Sequence, residues 1–423
     1  MDSTTGRARP LVALGYEPCC APAMQLVEAA AGLCDLLWMI DTAVPGMGEM
    51  VDLLNRFGAV VDLKGMSAEH AVKMLADWEP DGMTTYLDAG MVELACVAEG
   101  LGLPFHSPAT AAALTDKAHQ RRALADAGLD IPPCFLVRPG QSEPELLAVE
   151  AEVGWPAVLK PRSSQGSRYT FLARDGAELE NLLVALGPGR PDMVLEGYLP
   201  DDPARAGDPY AGYVSVESVV ADGVISHLAL TGRFPPAENF RETGFFIPAA
   251  LDAGSRAAVL DLATRAIDAL GVRTGCLHTE VKFTPDGPRI IEVNGRMGGG
   301  VPEMLERAAG ISLLALTLRV ALGEPVSVDG PVATDRIGYR FFLQPPTVSA
   351  TVTAIEGIND FSDHAGVDTV SVHQVPGAAL DWRDGSGNHI VAVVGSTDDE
   401  EQLQAAYRLL HQEVTVTYTD VRH

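Results

Sequence analysis

The stretch richest in groups that could do chemistry is HTEVKFTPDGPRIIEVNGRMGGG, residues 278–300. Within it Pro285, Asp286 and Gly287 carry the signature of a type I turn followed by a left-handed glycine, which closes a three-residue hairpin loop with a bulge. With Thr284 facing Pro288, counting outward sets Glu280 directly opposite Glu292. Asn294, two residues beyond Glu292, projects from the same face of its strand. Like charges directly opposite each other destabilise a sheet unless something positive lies between them. Magnesium takes hard oxygen ligands and shares them with phosphate oxygens, so it is the natural candidate. A register shifted by one would instead leave one glutamate facing solvent, and spacing alone does not choose between the two. Arg296 continues the same face, and the chain then breaks into Gly298, Gly299 and Gly300, where backbone can approach a ligand closely. A guanidinium fixed beside two metal-binding carboxylates suits an anionic transition state such as a transferring phosphoryl group. The alternative is a surface arginine in an ordinary flexible loop.

Two further segments offer weaker signals. In VLKPRSSQGSRYT, Lys160 ends an apolar strand and Ser163, Ser164, Gly166 and Ser167 follow in a loop, giving one point charge and several amide and hydroxyl donors. It is not a Walker A loop, since GxxxxGK[ST] occurs nowhere in the chain, and alone it also reads as a solvated turn. In MVLEGYLP, Glu196 and Tyr198 follow an apolar strand whose extended backbone could hydrogen-bond a purine edge. Lys117 and Arg121, four apart in a helical pattern, share one face. The six cysteines (Cys19, Cys20, Cys34, Cys96, Cys134 and Cys276) form no CxxC pair and no zinc-like spacing, and read as reduced, mostly structural thiols.

The elements that must position these groups follow from periodicity. Over 1–108, apolar runs at 11–16, 36–40 and 59–63 read as strands, and 22–31, 68–78 and 91–102 as helices. That alternation implies a parallel sheet covered by helices. The first strand leads into GYEPCC where a dinucleotide site needs GxGxxG, so the lobe is α/β without that ligand. A second unit, 109–193, opens with one helix over ATAAALTDKAHQRRALADAG and continues as strand, loop, strand, helix and strand. The third, 194–330, contains a hairpin over 212–231 that turns at Asp222-Gly223, helices over 255–270 and 302–322, and the 278–300 segment. The last, 331–423, carries short strands, a helix over 399–412 and a final strand VTVTYTDV. The fold class is therefore α/β and α+β, with an N-terminal parallel-sheet lobe, a central lobe and a C-terminal α+β lobe.

Composition narrows the partners. With 423 residues, three lobes or more fit the usual domain size. Lysine and arginine number 30 against 57 aspartates and glutamates, a formal charge of −27, which argues against nucleic acid or an anionic membrane as the main partner. A small phosphorylated ligand remains compatible, because a basic pocket or a metal overrides the global field locally. The apolar run at 29–40 is interrupted by Asp35 and is too short to span a bilayer, and MDSTTGRARP lacks a signal-peptide core. The expectation is a soluble, cytoplasmic protein.

Taken in order, TDKAHQRRALADAGLDIP, VLKPRSSQGS, VLEGYL, the HTEVKF hairpin and IIEVNGRMGGG resemble the ATP-grasp superfamily, most closely its carboxylate–amine ligases known as L-amino-acid ligases, over nearly the whole chain. The resemblance implies a three-lobed ATP-grasp fold with ATP between two α+β halves. It also implies an ADP-forming reaction in which an amino-acid carboxylate becomes an acyl phosphate and the amine of a second amino acid displaces the phosphate. The product is a dipeptide or a γ-glutamyl-type amide, with a place in specialised metabolism suggested by the resemblance alone. By that likeness Lys117 and Lys160 hold ATP phosphates, the Gly166-Ser167 loop closes over them, and Glu196 and Tyr198 form the adenine hinge. Glu280 and Glu292 bind one or two magnesium ions with Asn294 assisting, and Arg296 stabilises the acyl phosphate and the tetrahedral intermediate. ENFRETGFFIPA is similar to the family's E-x-G-H substrate loop, so Glu242 holds an amino-acid substrate, while Phe245 replaces a histidine common in relatives and makes the site less polar. Gly299 and Gly300 stand where some relatives place a bulky residue, which implies a roomier pocket. The insertion PDDPARAGDPYAG follows the hinge, and the usual acidic ribose contact has no clear match. The partners implied are small amino acids, and homodimers are common among relatives. The alternatives are another ATP-grasp ligase, a carboxylase acting through carboxyphosphate, or a nucleotide-binding protein without catalysis.

Overall fold

The computed structural model describes residues 8–18, 21–141, 148–149 and 151–419. Cys19 and Cys20, and the end of the final strand beyond residue 419, lie outside the described residues. Cys34, Cys96, Cys134 and Cys276 are free thiols.

The N-terminal lobe is a parallel sheet ordered Gly58–Asp62, Asp35–Ile40, Leu11–Gly15, Gly82–Thr85. LVALG is buried throughout, as is all of DLLWMI after its first residue, because helices cover both faces of the sheet. Two elements are additional to the sequence expectation, helix Met47–Leu54 and strand Gly82–Thr85. The strand, GMTT, has no apolar run to announce it, and its pairing with Leu11–Gly15 together with its full burial holds it extended.

The helix expected over ATAAALTDKAHQRRALADAG is in fact two, Pro108–Thr115 and Lys117–Asp126. Asp116 between them is extended (φ −120°, ψ 108°), and its carboxylate accepts hydrogen bonds from the Ala118 and His119 amides. An N-cap aspartate thus starts a new helix in a new direction with Lys117 as its first residue. The helix expected over 302–322 likewise divides into Val301–Ala309 and Leu313–Ala321, the second capped by Ser312.

The small lobe is an antiparallel sheet ordered Cys134–Val137, Met193–Gly197, Ala157–Pro161, Phe171–Ala173, with helix Gly176–Leu186 packed on it. Eight further strands build one sheet ordered Gly287–Asn294, Gly275–Thr284, Tyr213–Ala221, Val224–Arg233, Gly244–Ile247, Ile337–Leu343, Val391–Thr397, Val367–Val372, and Ala379–Leu380, Ala350–Glu356 and Thr415–Thr419 form a separate three-stranded sheet. The hairpin at Asp222-Gly223 forms as expected, with φ values of 47° and 79° at its two turn residues. The 331–423 segment does not stand apart from the 194–330 segment. Gly244–Ile247 pairs with Ile337–Leu343, so the sheet runs unbroken from one into the other.

Register in the 275–294 hairpin decides the chemistry. The loop has two residues, not the three expected, for Thr284 pairs with Gly287 and Phe283 with Pro288. Uncorrected, that register would place Glu280 opposite Ile291. A bulge between the pairs Val281–Ile290 and Glu280–Glu292 adds one residue on the second strand, and Glu280 faces Glu292 after all.

Helix Val301–Ala309 lies against the strand Ile337–Leu343, with Met304, Leu305 and Ala308 in the same core as Phe342. Gly338 makes this approach feasible, since a Cβ there would overlap the Met304 carbonyl oxygen. Gly338→Ala should therefore destabilise the protein by about 1–3 kcal/mol through overpacking, read as a lower thermal midpoint. An unchanged midpoint would show that helix and strand can separate without cost.

Candidate active site

A cleft of about 1500 Å³ opens between the lobes, and every lobe contributes to its wall. Its floor is the end of the large sheet, lined by Glu280, Glu292, Asn294 and Arg296, beside His278 and the Gly299-Gly300 turn. The loop from Ser163 through Gly166 forms part of the roof, and Glu242 and Phe245 stand on one side.

The two opposed glutamates are each met by a cation. Lys117 Nζ is 3.0 Å from Glu292 Oε1 and donates to the Ser164 carbonyl at 2.8 Å, so the first residue of its helix ties floor to roof. His278 Nε2 lies 3.3 Å from Glu280 Oε1, and its Nδ1 lies 2.9 Å from Glu217 Oε2. Burial alone would lower the His278 imidazole, but the Glu217 and Glu280 carboxylates outweigh it and raise it to about 9, so the ring is cationic at neutral pH. For Glu280 burial acts upward, and the His278 hydrogen bond and charge together with Arg233 and Arg296 hold it down at about 2. Glu217, completely buried on its strand, also accepts from Ser215 Oγ at 2.6 Å and Thr231 Oγ1 at 2.8 Å.

Arg233 extends the network toward the substrate loop. Its Nε donates to Glu242 Oε1 at 3.0 Å, its second amino group reaches Ser215 Oγ at 2.9 Å, and its guanidinium carbon sits 4.4 Å from the centre of the Phe245 ring. Burial raises the Glu242 carboxyl, and Arg233 opposes that shift without cancelling it. Arg296 is held by Asp88, with Nε to Oδ2 at 3.0 Å, and by the Met297 carbonyl at 3.0 Å, while Asn294 Oδ1 lies 3.4 Å away. Asp88 follows the parallel strand Gly82–Thr85, the end of such a sheet at which ligand sites form. It reaches across 208 residues of sequence to orient the arginine.

Glu280, Glu292 and Asn294 offer only hard oxygen donors. Among the described residues no group of three or more His, Cys, Asp or Glu side chains is arranged to hold a metal. A magnesium ion here would draw its further oxygens from phosphate and water, its usual habit, so the donor set fits it.

Five residues expected at the nucleotide lie outside this cleft wall: Lys117, which reaches it through Glu292, and four more. Lys160 Nζ is 2.7 Å from Glu196 Oε2, and Arg121 Nε is 3.0 Å from Glu196 Oε1, in a buried triad inside the small lobe; Arg121 also bonds the Ile291 carbonyl. Tyr198 is covered by Lys282, whose Nζ lies 4.7 Å from the ring centre and donates to the phenol oxygen at 3.2 Å. Ser167 Oγ donates to the Phe240 carbonyl at 2.8 Å, while Gly166 does line the cleft and its carbonyl accepts from the Ser386 amide at 2.8 Å. The serine loop is thereby pinned across the cleft to the C-terminal lobe. Sequence reading assigned no role to Asp88, His278, Glu217, Arg233, Ser386, Arg340 or His389. A usable signal existed for Glu217 and Arg233, charged residues inside otherwise apolar strands, but none existed for the long-range contact of Asp88.

No protein-family model matches the chain. An uncharacterized protein of Sinorhizobium fredii is 26% identical over 333 residues, covering 76% of this chain and 66% of that protein. Alanine–anticapsin ligase of Bacillus subtilis is 27% identical over 271 residues, covering 60% of this chain and 56% of the ligase. The chain thus spans less than two thirds of the length of the curated relatives it matches. The L-amino acid ligase of Bacillus licheniformis superposes with a TM-score of 0.76 at 22% identity, over 98% of this chain and 100% of that one. The chain has the ATP-grasp fold. Among the described residues no helix is long and apolar enough to cross a membrane.

The Glu196 triad yields a stability test. Burial would raise this carboxyl, but Arg121 and Lys160 hold it at about 2 against the ordinary 4.5. The contribution is present in full above the ordinary value and is lost as pH falls toward about 2. Glu196→Gln, which strands two buried cations, should cost about 3–5 kcal/mol at neutral pH, measured by denaturant titration. A loss below about 1 kcal/mol would mean that solvent reaches the triad.

Proposed function

We propose that this protein is an ADP-forming carboxylate–amine ligase that joins two amino acids. The observation that carries the proposal is the meeting of Glu280, Glu292, Asn294 and Arg296 on one cleft floor, under the Ser163–Gly166 loop and beside Glu242. The similarity to alanine–anticapsin ligase and to a structurally characterised L-amino acid ligase points the same way.

In this reading the carboxylate of one amino acid attacks the terminal phosphorus of ATP, the bond to the bridging oxygen breaks, and ADP departs. The amine of the second amino acid then attacks the acyl carbon, gives up a proton, and expels inorganic phosphate as the amide forms. Magnesium held by Glu280 and Glu292, with Asn294 assisting, would offset the charge of the phosphate oxygens. Lys117 exchanges its present partners, Glu292 and the Ser164 carbonyl, for phosphate oxygens, and Lys160 turns from Glu196 to add a second ammonium. The Gly166-Ser167 loop covers the phosphates, and the backbone from Glu196 to Tyr198 meets the adenine. Arg296, oriented by Asp88 before substrate arrives, holds the oxygen on which charge develops in both steps; orientation in advance avoids reorganisation at the moment of reaction. Glu242, bound to Arg233, receives the ammonium of the amino acid that is activated, and Phe245 keeps that subsite apolar. Free ATP and amino acids make the cytoplasm the compartment where this chemistry operates.

Phosphate release from ATP and magnesium should require two particular amino acids together, with a product mass equal to their sum less water. Release that depends on bicarbonate instead would replace the ligase by a carboxylase, and AMP in place of ADP would remove the acyl phosphate. Arg296→Ala should lower turnover by about 10²–10³-fold, the scale of a lost transition-state donor. Glu280→Gln and Glu292→Gln should each raise the magnesium concentration needed for half-maximal rate, and unchanged magnesium dependence in both would contradict the metal site.

A further inference from the structure

The C-terminal lobe presents a second set of polar groups to the cleft that the steps above do not use. The strand Ile337–Leu343, IGYRFFL, is the sixth of the eight strands of the large sheet and is buried at every position except Arg340. Its alternation sends Tyr339 and Phe341 into the core under helix Glu400–Glu413, and Arg340 and Phe342 toward the cleft. An arginine thus occupies a position where the sheet's pattern calls for an apolar side chain.

Arg340 is poorly satisfied where it lies. Its nearest carboxylate oxygen, Glu303 Oε2, is 3.4 Å from one terminal nitrogen, and Glu303 already accepts from Gln25 at 2.9 Å through its other oxygen. Its Nε is buried and makes no hydrogen bond among the described residues. The side chain rests on Gly300, where a Cβ would come within 2.6 Å of Arg340 Cδ and 2.8 Å of its terminal nitrogen. Gly300 is therefore matched to the arginine, while Gly299 beside it borders open space.

His389 faces the same end of the cleft. Its ring centre is 4.7 Å from that of Phe342, and the Arg340 guanidinium carbon is 5.3 Å from the same Phe342 centre, so cation and imidazole flank one aromatic ring. His389 Nδ1 lies 3.0 Å from the Ser386 carbonyl, which can only accept, so Nδ1 carries the proton. Nε2 is then a bare acceptor, buried and without a partner among the described residues. A guanidinium Nε–H and a lone imidazole acceptor left unmet in a cleft wall cost stability unless a ligand completes them.

We infer that Arg340 and His389 form the recognition site for the amine-supplying substrate, Arg340 taking its free carboxylate and His389 Nε2 accepting from an N–H or O–H of the same molecule. The substrate class is an amino acid that enters with its own carboxylate uncapped, held by the C-terminal lobe while its amine reaches the acyl carbon near Arg296. This inference rests on the ligase reading for the reaction, but the anion site itself rests on the geometry of Arg340, Gly300 and His389.

The test uses the full chain, as wild type, Arg340→Met, Arg340→Lys and His389→Leu. Each proteinogenic amino acid is compared with its amide as the amine component, and binding of the same compounds is followed by calorimetry. The wild type should use the free acid over the amide by about 10²-fold in kcat/KM, the scale of a lost charge-assisted pair. Arg340→Met should bring that ratio near one, mainly through KM for the amine component, and Arg340→Lys should retain part of it. A purely structural arginine would lower acid and amide equally. His389→Leu should raise KM and leave the ratio unchanged, and a wild-type KM would remove His389 from the site. Ligation with equal use of acid and amide by the wild type overturns the inference while leaving the ligase intact, whether or not the methionine variant folds. Acid binding that Arg340→Met abolishes, without any ligation, would uphold the anion site and reject the ligase. Absence of both ligation and Arg340-dependent binding rejects the two together.

Discussion

Two carboxylates held face to face at the end of a sheet set the terms for the rest of the molecule. Glu280 and Glu292 pair directly across an antiparallel register, an arrangement that repels unless cations are brought to it. The chain brings them from different places. Lys117 arrives from the first turn of a helix in the preceding lobe, and His278 is held cationic by Glu217 from the strand on the other side. Neither is positioned by local sequence. Lys117 needs the break at Asp116 that redirects its helix, and His278 needs a buried glutamate anchored by a serine and a threonine. The site is thus balanced by its own side chains and can exchange them for phosphates without leaving a carboxylate bare.

The same logic explains why the lobes meet where they do. Asp88 from the parallel-sheet lobe fixes Arg296, the serine loop of the small lobe is pinned by Ser386, and the C-terminal strand carries Arg340 onto Gly300. Each contact crosses a lobe boundary and ends on a charged or cleft-lining residue. The 331–423 segment is therefore part of the site as well as of the sheet, contributing groups to the wall opposite the small lobe.

Much of this was legible in the sequence, and the misses have physical causes. The parallel rhythm of the first lobe and the hairpin at Asp222-Gly223 follow from apolar periodicity and turn chemistry, which are local. The E-x-N-x-R spacing placed Glu292, Asn294 and Arg296 on one face for the same reason. The opposition of Glu280 and Glu292 was anticipated by a three-residue loop, whereas the chain uses a two-residue loop and a bulge at Ile291. Turn residues constrain loop length weakly, and a bulge leaves no mark in the pattern of side chains. The break at Asp116 was hidden because helical periodicity on both sides is good and only the cap divides it. Asp88, Glu217, Arg340 and His389 were not assigned roles because their partners lie far away in sequence, and no spacing rule spans such distances.

The central claim is that a carboxylate oxygen of the activated amino acid is transferred to phosphate. The most direct measurement supplies that amino acid with both carboxylate oxygens labelled with oxygen-18, together with unlabelled ATP and the amine component, and weighs the phosphate released. The account predicts inorganic phosphate carrying one heavy oxygen and an amide retaining the other. Unlabelled phosphate alongside a formed amide, or heavy oxygen found in AMP, would contradict it.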